Sequence, residues 1–223
     1  MNKYYEAYDT RYKQVHEKGL EWSTNINTKI VEEIIIKYQL EKENMLEIGC
    51  GEGRDARYLL NKNYKVLATD VSKEAINYCI KKDLKNKEHY KVLDVLSDNS
   101  STEKYGFIYS IACLHMFVLD EDRNKYYKYI YNHLNENGYA LILTMGDGIN
   151  ETSSDITKAF DNIKRTHQES NQEIIVATTS CRIVNFDTLS KEIKENKFNI
   201  VESGITEIEN HFDKIMYVLI TKH

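Results

Sequence analysis

The chain has 223 residues and a formal net charge of −5, with 41% hydrophobic and 29% charged residues. These values suit one globular domain with a sizeable core, with or without a lid. No segment approaches the roughly eighteen continuous apolar residues of a membrane span, and the N-terminal stretch has no apolar signal core. The sequence therefore predicts a cytoplasmic protein without a membrane partner. The lack of a basic stripe interleaved with aromatic residues also argues against a nucleic-acid partner.

The cysteines and histidines indicate neither a disulfide framework nor a metal site. Four widely spaced cysteines fit no disulfide or zinc pattern, and the six histidines other than His115 share no ligand spacing. We therefore expect reduced thiols and no metal.

Short apolar runs alternate with helical patterns along most of the chain. The predicted strands are Asn44–Ile48, Lys65–Thr69, Tyr90–Val95, Phe107–Cys113 and Tyr139–Met145, the last entered through a turn at Asn137–Gly138. The predicted helices are Thr28–Tyr38, a helix after the glycines that ends near Lys62, a helix with Ser72 as N-cap, Asp122–Leu134 and Phe186–Asn196.

Continuous apolar strands that alternate with helices are typical of a doubly wound α/β fold with a parallel sheet. The C-terminal end departs from this alternation, because two apolar runs follow the last helix with no helix between them. Such runs pair as a hairpin, so the last strand is expected to lie antiparallel to the others. The prediction is a mostly parallel, seven-stranded sheet with an antiparallel C-terminal hairpin.

Two segments lie outside this alternation. Residues 1–28 are polar and rich in tyrosine, and we interpret them as a lid segment; the alternative is a surface helix packed on the sheet edge. Residues 146–185 form a long insertion with a β-rich stretch, expected over the active face of the main domain, residues 29–223.

Three of the nine glycines lie within five residues, at Gly49, Gly51 and Gly53, directly after the first predicted strand. A glycine turn between a strand and a helix is typical of a site for a nucleotide-like ligand. Asp70 ends the second strand, 21 residues after Gly49, the distance expected of a carboxylate that accepts hydrogen bonds from ribose hydroxyls. A helix cap is the alternative role, but Ser72 can provide the cap.

The spacing of the glycines bears on which nucleotide binds. A nicotinamide-binding turn requires G-x-G-x-x-G, and here the third glycine comes one residue early. Glu47 precedes the turn, where its charge would repel a pyrophosphate. An acid at this place suits a ligand with an ammonium group, such as S-adenosylmethionine.

Three motifs carry a resemblance to a known family: "LEIGCGEGRDARYL", "VLATDVS" and "LDV", in this order. They resemble the first three motifs of the class I S-adenosylmethionine-dependent methyltransferases, most closely the small-molecule branch with the tellurite-resistance and thiopurine-type enzymes. The resemblance covers residues 40–145 and, more loosely, 186–222. It implies a Rossmann-like fold, S-adenosylmethionine as methyl donor, S-adenosylhomocysteine as product and a small-molecule acceptor.

The resemblance also implies roles for individual residues. Glu47, Gly49 and Gly51 would meet the methionine end of the cofactor, Asp70 the ribose, Asp94 and Val95 the adenine edge, and Ala112 the underside, with Cys50 and Val71 as further cofactor-binding residues.

Two residues are candidates for catalysis. His115 lies just past the fourth strand and could accept a proton from the acceptor, or it could be a core or capping histidine. Asp147 lies between two glycines past the fifth strand and could face a substrate, although the same pattern is an ordinary Asp-Gly turn.

The acceptor class is suggested by what the fourth strand lacks. Methyltransferases that act on nucleic-acid amines carry an Asn/Asp-Pro-Pro-aromatic motif there, whereas this chain has "ACLH" and no proline. Two other functions stay open, a non-catalytic cofactor-binding module and an NAD-dependent oxidoreductase, and the chain could be a monomer or a homodimer.

Overall fold

A seven-stranded sheet forms the centre of the computed structural model, which describes residues 3–210 and 212–223. The strands of the described chain are β1 Asn44–Ile48, β2 Lys65–Asp70, β3 Tyr90–Val92, β4 Tyr105–Ile111, β5 Leu134–Thr144, β6 Thr152–Ser153, β7 Asn162–Thr166, β8 Glu173–Ala177, β9 Arg182–Ile183, β10 Phe198–Ile208 and β11 Phe212–Lys222. The large sheet has the order β10-β11-β5-β4-β1-β2-β3.

Helices cover both faces of this sheet. They are α1 Ala7–His16, α2 Lys29–Lys37, α3 Arg54–Asn61, α4 Lys73–Lys82, α5 Asp120–His133 and α6 Phe186–Glu195. One core layer joins α5 and α6 to the sheet face that carries Leu46 and Ile48. The other joins α2, α3 and α4 to the opposite face, which carries Met45. Since neighbouring residues of a strand point to opposite faces, the two layers explain why the strands are continuously apolar.

The strand pairing confirms the predicted fold class. β1 pairs in parallel with β2 and β4, and the sheet extends through the parallel pairs β2–β3 and β4–β5. β11 lies between β10 and β5 and is antiparallel to both, as predicted for the C-terminal hairpin. Within residues 3–210 and 212–223, none of the helices has the length and apolar character of a membrane span.

The predicted ends of the third and fourth strands were wrong. The third strand ends at Val92, because Asp94 accepts a hydrogen bond from the backbone N–H of Leu96 and starts a turn. The fourth strand ends at Ile111, since Ala112 has a φ of +53° and leaves the extended conformation.

The predicted turn at Asn137–Gly138 is also wrong, since both residues lie inside β5. Leu134 pairs with Tyr105 but Tyr139 pairs with Phe107, so the register against β4 shifts between these two pairs. The expected turn is therefore a local irregularity within a longer strand.

The insertion at residues 146–185 forms two small antiparallel pairs, β6–β9 and β7–β8. Helix α1 packs against this insertion, because the guanidinium of Arg11 donates hydrogen bonds to the carbonyl oxygens of Ala177 and Thr178. The N-terminal segment and the insertion are thereby joined to each other.

Candidate functional site

The turn between β1 and α3 contains glycines that no other residue could replace without strain. Gly49 and Gly51 have φ values of +73° and +53°, in the left-handed region that favours glycine. A Cβ atom on Gly49 would lie 2.8 Å from the Sγ of Cys113, and one on Gly51 would lie 2.6 Å from the Oη of Tyr12. Both the backbone conformation and the close packing therefore require glycine.

A cavity of about 360 Å³ lies beyond the carboxyl ends of the parallel strands. Its lining includes all nine residues predicted for the cofactor: Glu47, Gly49, Cys50, Gly51, Asp70, Val71, Asp94, Val95 and Ala112. The same cavity is lined by His115, by aromatic residues of the N-terminal segment and by residues 165–168 and 178–181 of the insertion. The structure thus brings together residues from five strand ends and two covering segments.

Glu47 is a buried acid that lines this cavity from the end of β1. The hydroxyl of Tyr109 donates a hydrogen bond to its carboxyl, with an O–O distance of 3.1 Å. Burial, and in addition the nearby charge of Asp55, raises the pKa of Glu47 well above its usual range. A cationic ligand beside Glu47 would offset this cost, because it stabilises the ionised carboxylate.

Asp70 ends β2 and is held by backbone donors on either side. Its carboxyl oxygens accept hydrogen bonds from the N–H of Gly51 at 2.9 Å and from the N–H of Ser72 at 2.8 Å. The hydroxyl of Ser72 accepts from the N–H of Ala75 and caps α4, as predicted. Burial outweighs the backbone hydrogen bonds and raises the pKa of Asp70 to about 6.

Asp94, in the turn after β3, is bound by the N-terminal segment. Lys3 forms an ion pair with it, and the hydroxyl of Tyr5 donates a hydrogen bond at 3.2 Å. Burial opposes ionisation of Asp94, but hydrogen bonds from Lys3 and Ser97 outweigh it and lower the pKa.

His115 lies in a short 3-10 turn after β4, where it is buried and lines the cavity. Arg123 stabilises this turn, because its guanidinium donates a hydrogen bond to the carbonyl oxygen of Leu114 at 3.1 Å. Arg123 is itself held by a bidentate pair with Glu192 of α6, at 2.9 and 2.7 Å. The position of His115 therefore depends on a buried ion pair between two helices.

Asp147, the second catalytic candidate, does not line the cavity. Its side chain is exposed and accepts hydrogen bonds from the N–H groups of Ile149 and Asn150, at 2.9 and 2.8 Å. The backbone hydrogen bond from Asn150, followed by that from Ile149, lowers the pKa of Asp147 to about 2. This geometry is that of an Asp-Gly turn, so the structure does not support the predicted catalytic role.

The middle of the chain matches a known family. Residues 46–140, which include the glycine turn, Asp70, Asp94 and His115, match the family model described as a methyltransferase domain. Residues 46–140 therefore correspond to a methyltransferase domain of the class I S-adenosylmethionine-dependent type. The resemblance in the three sequence motifs is thereby confirmed.

Individual relatives share the methyltransferase domain over part of their length. Juvenile hormone acid O-methyltransferase of Bombyx mori is 28% identical over 117 residues, 50% of this chain and 41% of that protein. TehB of Haemophilus influenzae, a probable S-adenosyl-L-methionine-dependent methyltransferase, is 31% identical over 102 residues, 44% of this chain and 35% of that protein. The chain thus spans less than half the length of these two curated relatives.

A solved structure agrees over a longer range. That of 1,6-didemethyltoxoflavin-N1-methyltransferase from Burkholderia thailandensis, with bound 1,6-didemethyltoxoflavin and S-adenosylhomocysteine, has a TM-score of 0.72 at 15% identity. The match covers 100% of this chain and 91% of that chain. At this identity the likeness shows the fold, and it confirms the Rossmann-like architecture of the methyltransferase domain.

Sequence reasoning missed the residue that joins the glycine turn to the N-terminal segment. Glu52, between Gly51 and Gly53, is buried and accepts hydrogen bonds from the N–H groups of Trp22 and Ser23, both at 2.7 Å. Its Oε1 also lies 2.8 Å from the Nε2 of His16. An acid between two glycines of the turn was a visible signal, but its partner lies more than thirty residues away in sequence.

The described residues show no cluster of histidine, cysteine, aspartate or glutamate arranged to hold a metal ion. Of the seven histidines considered in the sequence, His211 lies outside the described residues, as do Met1 and Asn2 of the predicted lid segment.

We expect the carboxyl group of Asp70 to titrate near pH 6 in the ligand-free protein, because burial disfavours its charged form. A ¹³C NMR titration, assigned with Asp70→Asn, measures this midpoint directly. The folded pKa lies above the unfolded value of about 3.9, so the stabilisation from this group is complete below about pH 4. As the pH rises from about 4 through 6 this stabilisation is lost, and the free energy of unfolding decreases by at most about 3 kcal/mol. A midpoint below pH 4 would contradict this account of the site.

Proposed function

We propose that this protein transfers the methyl group of S-adenosylmethionine to a small-molecule acceptor. The observation that carries the proposal is the single cavity in which the acids at the strand ends, His115 and two covering segments meet. Acids at the strand ends suit the donor, and the space between His115 and the cover suits a second, smaller molecule.

The residues fit S-adenosylmethionine better than a dinucleotide. Glu47, Asp70 and Asp94 stand at the ends of three neighbouring strands and line one cavity. Their acceptor oxygens match an ammonium group, ribose hydroxyls and an adenine amine, in the order in which the resemblance assigns them. A pyrophosphate would meet the same carboxylates with like charge, which is unfavourable in a buried site.

When bound, S-adenosylmethionine supplies a methyl group on a positively charged sulfur, and the acceptor lone pair forms the new bond as the carbon–sulfur bond breaks with its electrons on sulfur. The protein mainly has to orient the acceptor in line and exclude water. Where the acceptor arrives protonated, His115 is placed to take the proton, because it lines the cavity beyond β4.

We also propose that residues 1–28 and 146–185 act as a cover that opens to admit the ligands. Tyr5, Tyr8, Tyr12 and Trp22 line the cavity from the N-terminal segment, so their rings can face a cationic sulfur. Hydrogen bonds join this segment to the rest of the domain. Glu52 accepts from the N–H of Ser23, and Asp9 of the segment accepts from the hydroxyl of Ser72 at 2.7 Å. All these contacts are polar, and such contacts can be exchanged with water when the segment lifts.

The first expectation is that the purified protein binds S-adenosylhomocysteine in preference to NAD. Asp70→Ala should weaken this binding by about 1.5–3 kcal/mol, the scale of hydrogen bonds to a charged group. Calorimetry measures both, with the exposed Asp187→Ala as control. Binding of NAD without binding of S-adenosylhomocysteine would instead support an oxidoreductase.

Hydrogen exchange tests the cover. Amides of residues 3–28 should exchange more slowly once S-adenosylhomocysteine is bound, because the cover then closes on a filled cavity. Amides of α6, which does not line the cavity, serve as the internal reference. Strong and identical protection with and without ligand would identify the N-terminal segment as a permanently packed helix.

His115→Ala tests the catalytic step. Screening metabolites for release of S-adenosylhomocysteine identifies the acceptor and separates an enzyme from a non-catalytic binding module. If His115 is a general base, turnover should fall by about 10²–10⁴-fold and the pH–rate profile should lose its acidic limb. Cofactor affinity should stay nearly unchanged, and the exposed His223→Ala should behave as wild type.

An acceptor that is already deprotonated would give a smaller loss and an unchanged pH profile, which would leave His115 an orienting role. Wild-type turnover together with weakened cofactor binding would contradict both roles.

A further inference from the structure

Arg11 carries a buried positive charge that no carboxylate of the described residues neutralises. Its side chain is only 2% exposed. The Nε and Nη2 groups donate to the carbonyl oxygen of Ala177, and Nη2 also donates to that of Thr178, at 2.6–3.0 Å. Within residues 3–210 and 212–223, the Nη1 group has no hydrogen-bond partner and Arg11 forms no ion pair.

The other buried arginines differ in this respect. Arg54 pairs with Asp55 at 2.8 Å, and Arg123 pairs with Glu192 at 2.7 Å. Burial of a charge is costly unless the charge is paired. Arg11 therefore stands out as a buried guanidinium with donors left over.

The surroundings of Arg11 reduce this cost without cancelling the charge. The guanidinium lies 5.0 Å from the centre of the Tyr8 ring and 4.7 Å from that of the Trp22 ring. Burial, and in addition the charge of Arg165, lowers the pKa of Arg11. A guanidinium nevertheless stays protonated in proteins, so the site keeps its positive charge.

Arg165 is a second cation at the same cavity. It lies on β7 of the insertion, is exposed and forms no ion pair with another described residue. The cavity is thus polarised, with Glu47, Asp70 and Asp94 at the strand ends and two arginines on the covering segments.

The contacts of Arg11 connect it through the insertion to the segment that carries His115. Its partners Ala177 and Thr178 are followed in the chain by Ser180. The hydroxyl of Ser180 donates a hydrogen bond at 2.7 Å to the carbonyl oxygen of Met116, the residue after His115. The glycine turn is contacted by Tyr12 of the same helix instead.

We propose that the methyl acceptor is a small carboxylic acid with an apolar body, bound through its carboxylate by Arg11 with Arg165 as a second cation. This inference rests on the proposed function for the cofactor end of the cavity. The carbonyl oxygens of Ala177 and Thr178 occupy Nε and Nη2, so Nη1 is the nitrogen left to donate a charge-assisted hydrogen bond to a carboxylate. Trp22, Met116, Phe117 and Met145 line the cavity around these charges and suit the apolar body.

The test compares acids with their uncharged amides. Benzoate, hexanoate and indole-3-acetate are each titrated against the matching primary amide by calorimetry, with S-adenosylhomocysteine saturating. Wild type should bind at least one acid more tightly than its amide by about tenfold or more, the scale of hydrogen bonds to a charged group. Lys13→Gln removes an exposed charge from the same helix and should keep this preference.

Arg11→Gln should reduce the preference for the acid to less than about threefold, whereas Arg11→Lys should keep part of it because the charge remains. Arg165→Gln, at an exposed position that leaves the fold intact, should reduce the preference partially. Affinity for S-adenosylhomocysteine should change little in all of these variants.

Two results would overturn the inference: no acid preferred over its amide by wild type, or Arg11→Gln and Arg165→Gln both keeping the full preference. If Arg11→Gln instead strongly weakens the binding of S-adenosylhomocysteine while the preference for the acid over its amide stays, Arg11 binds the cofactor carboxylate and the inference is wrong. Failure of wild type to bind S-adenosylhomocysteine at all is a different result, and it would overturn the proposed function itself.

Discussion

The tight turn after β1 is the constraint on which the rest of the site depends. The N–H groups of Gly49 and Cys50 both donate to the carbonyl oxygen of Thr69, and the N–H of Gly51 donates to Asp70. These bonds join the end of β1 to the end of β2. Because Gly49 and Gly51 lack a Cβ atom, Cys113 and Tyr12 can pack directly against the turn. One turn therefore sets the relative positions of an acid, the segment after β4 and helix α1.

The acids around this turn are held in an environment that does not favour their charge. Glu47 and Asp70 both have pKa values raised by burial. Glu52 is stabilised by backbone N–H groups of the N-terminal segment and by His16, which also contacts Glu74 at 2.8 Å. Buried acids with raised pKa values are typical of functional sites, where a ligand can offset the cost of their burial.

The two sides of the cavity come from different parts of the chain. The family match stops at residue 140, whereas the wall that carries Arg165 and residues 178–181 belongs to the insertion. Helix α1, with Arg11 and its aromatic neighbours, also lies outside the match. The proposed donor site therefore lies in the shared domain, and the proposed acceptor surface lies in the segments outside it. Differences in acceptor between relatives are expected to reside in such covering segments.

Local patterns in the sequence predicted the five parallel strands of the large sheet apart from some of their bounds, and also the glycine turn, the Ser72 cap and the C-terminal hairpin. Each depends on residues close together in the chain: apolar periodicity, glycine at positive φ, or a hydroxyl three residues before the N–H that it caps. Asp70 was predicted to face the cavity for the same reason, because the end of a parallel strand is visible in the sequence and its place at the sheet edge follows from the fold.

Contacts between distant residues were decided only by the tertiary structure. The pattern around Asp147 is the same for a substrate-facing loop and for a closed turn, and only the folded loop shows the carboxyl bound to its own backbone. The turn predicted at Asn137–Gly138 became an irregularity inside β5, at the point where the register against β4 shifts. Arg11 resembles any charged residue of a surface helix, and its burial depends on β8, more than 160 residues away. Local propensity favours a conformation, but the fold determines which side chains meet.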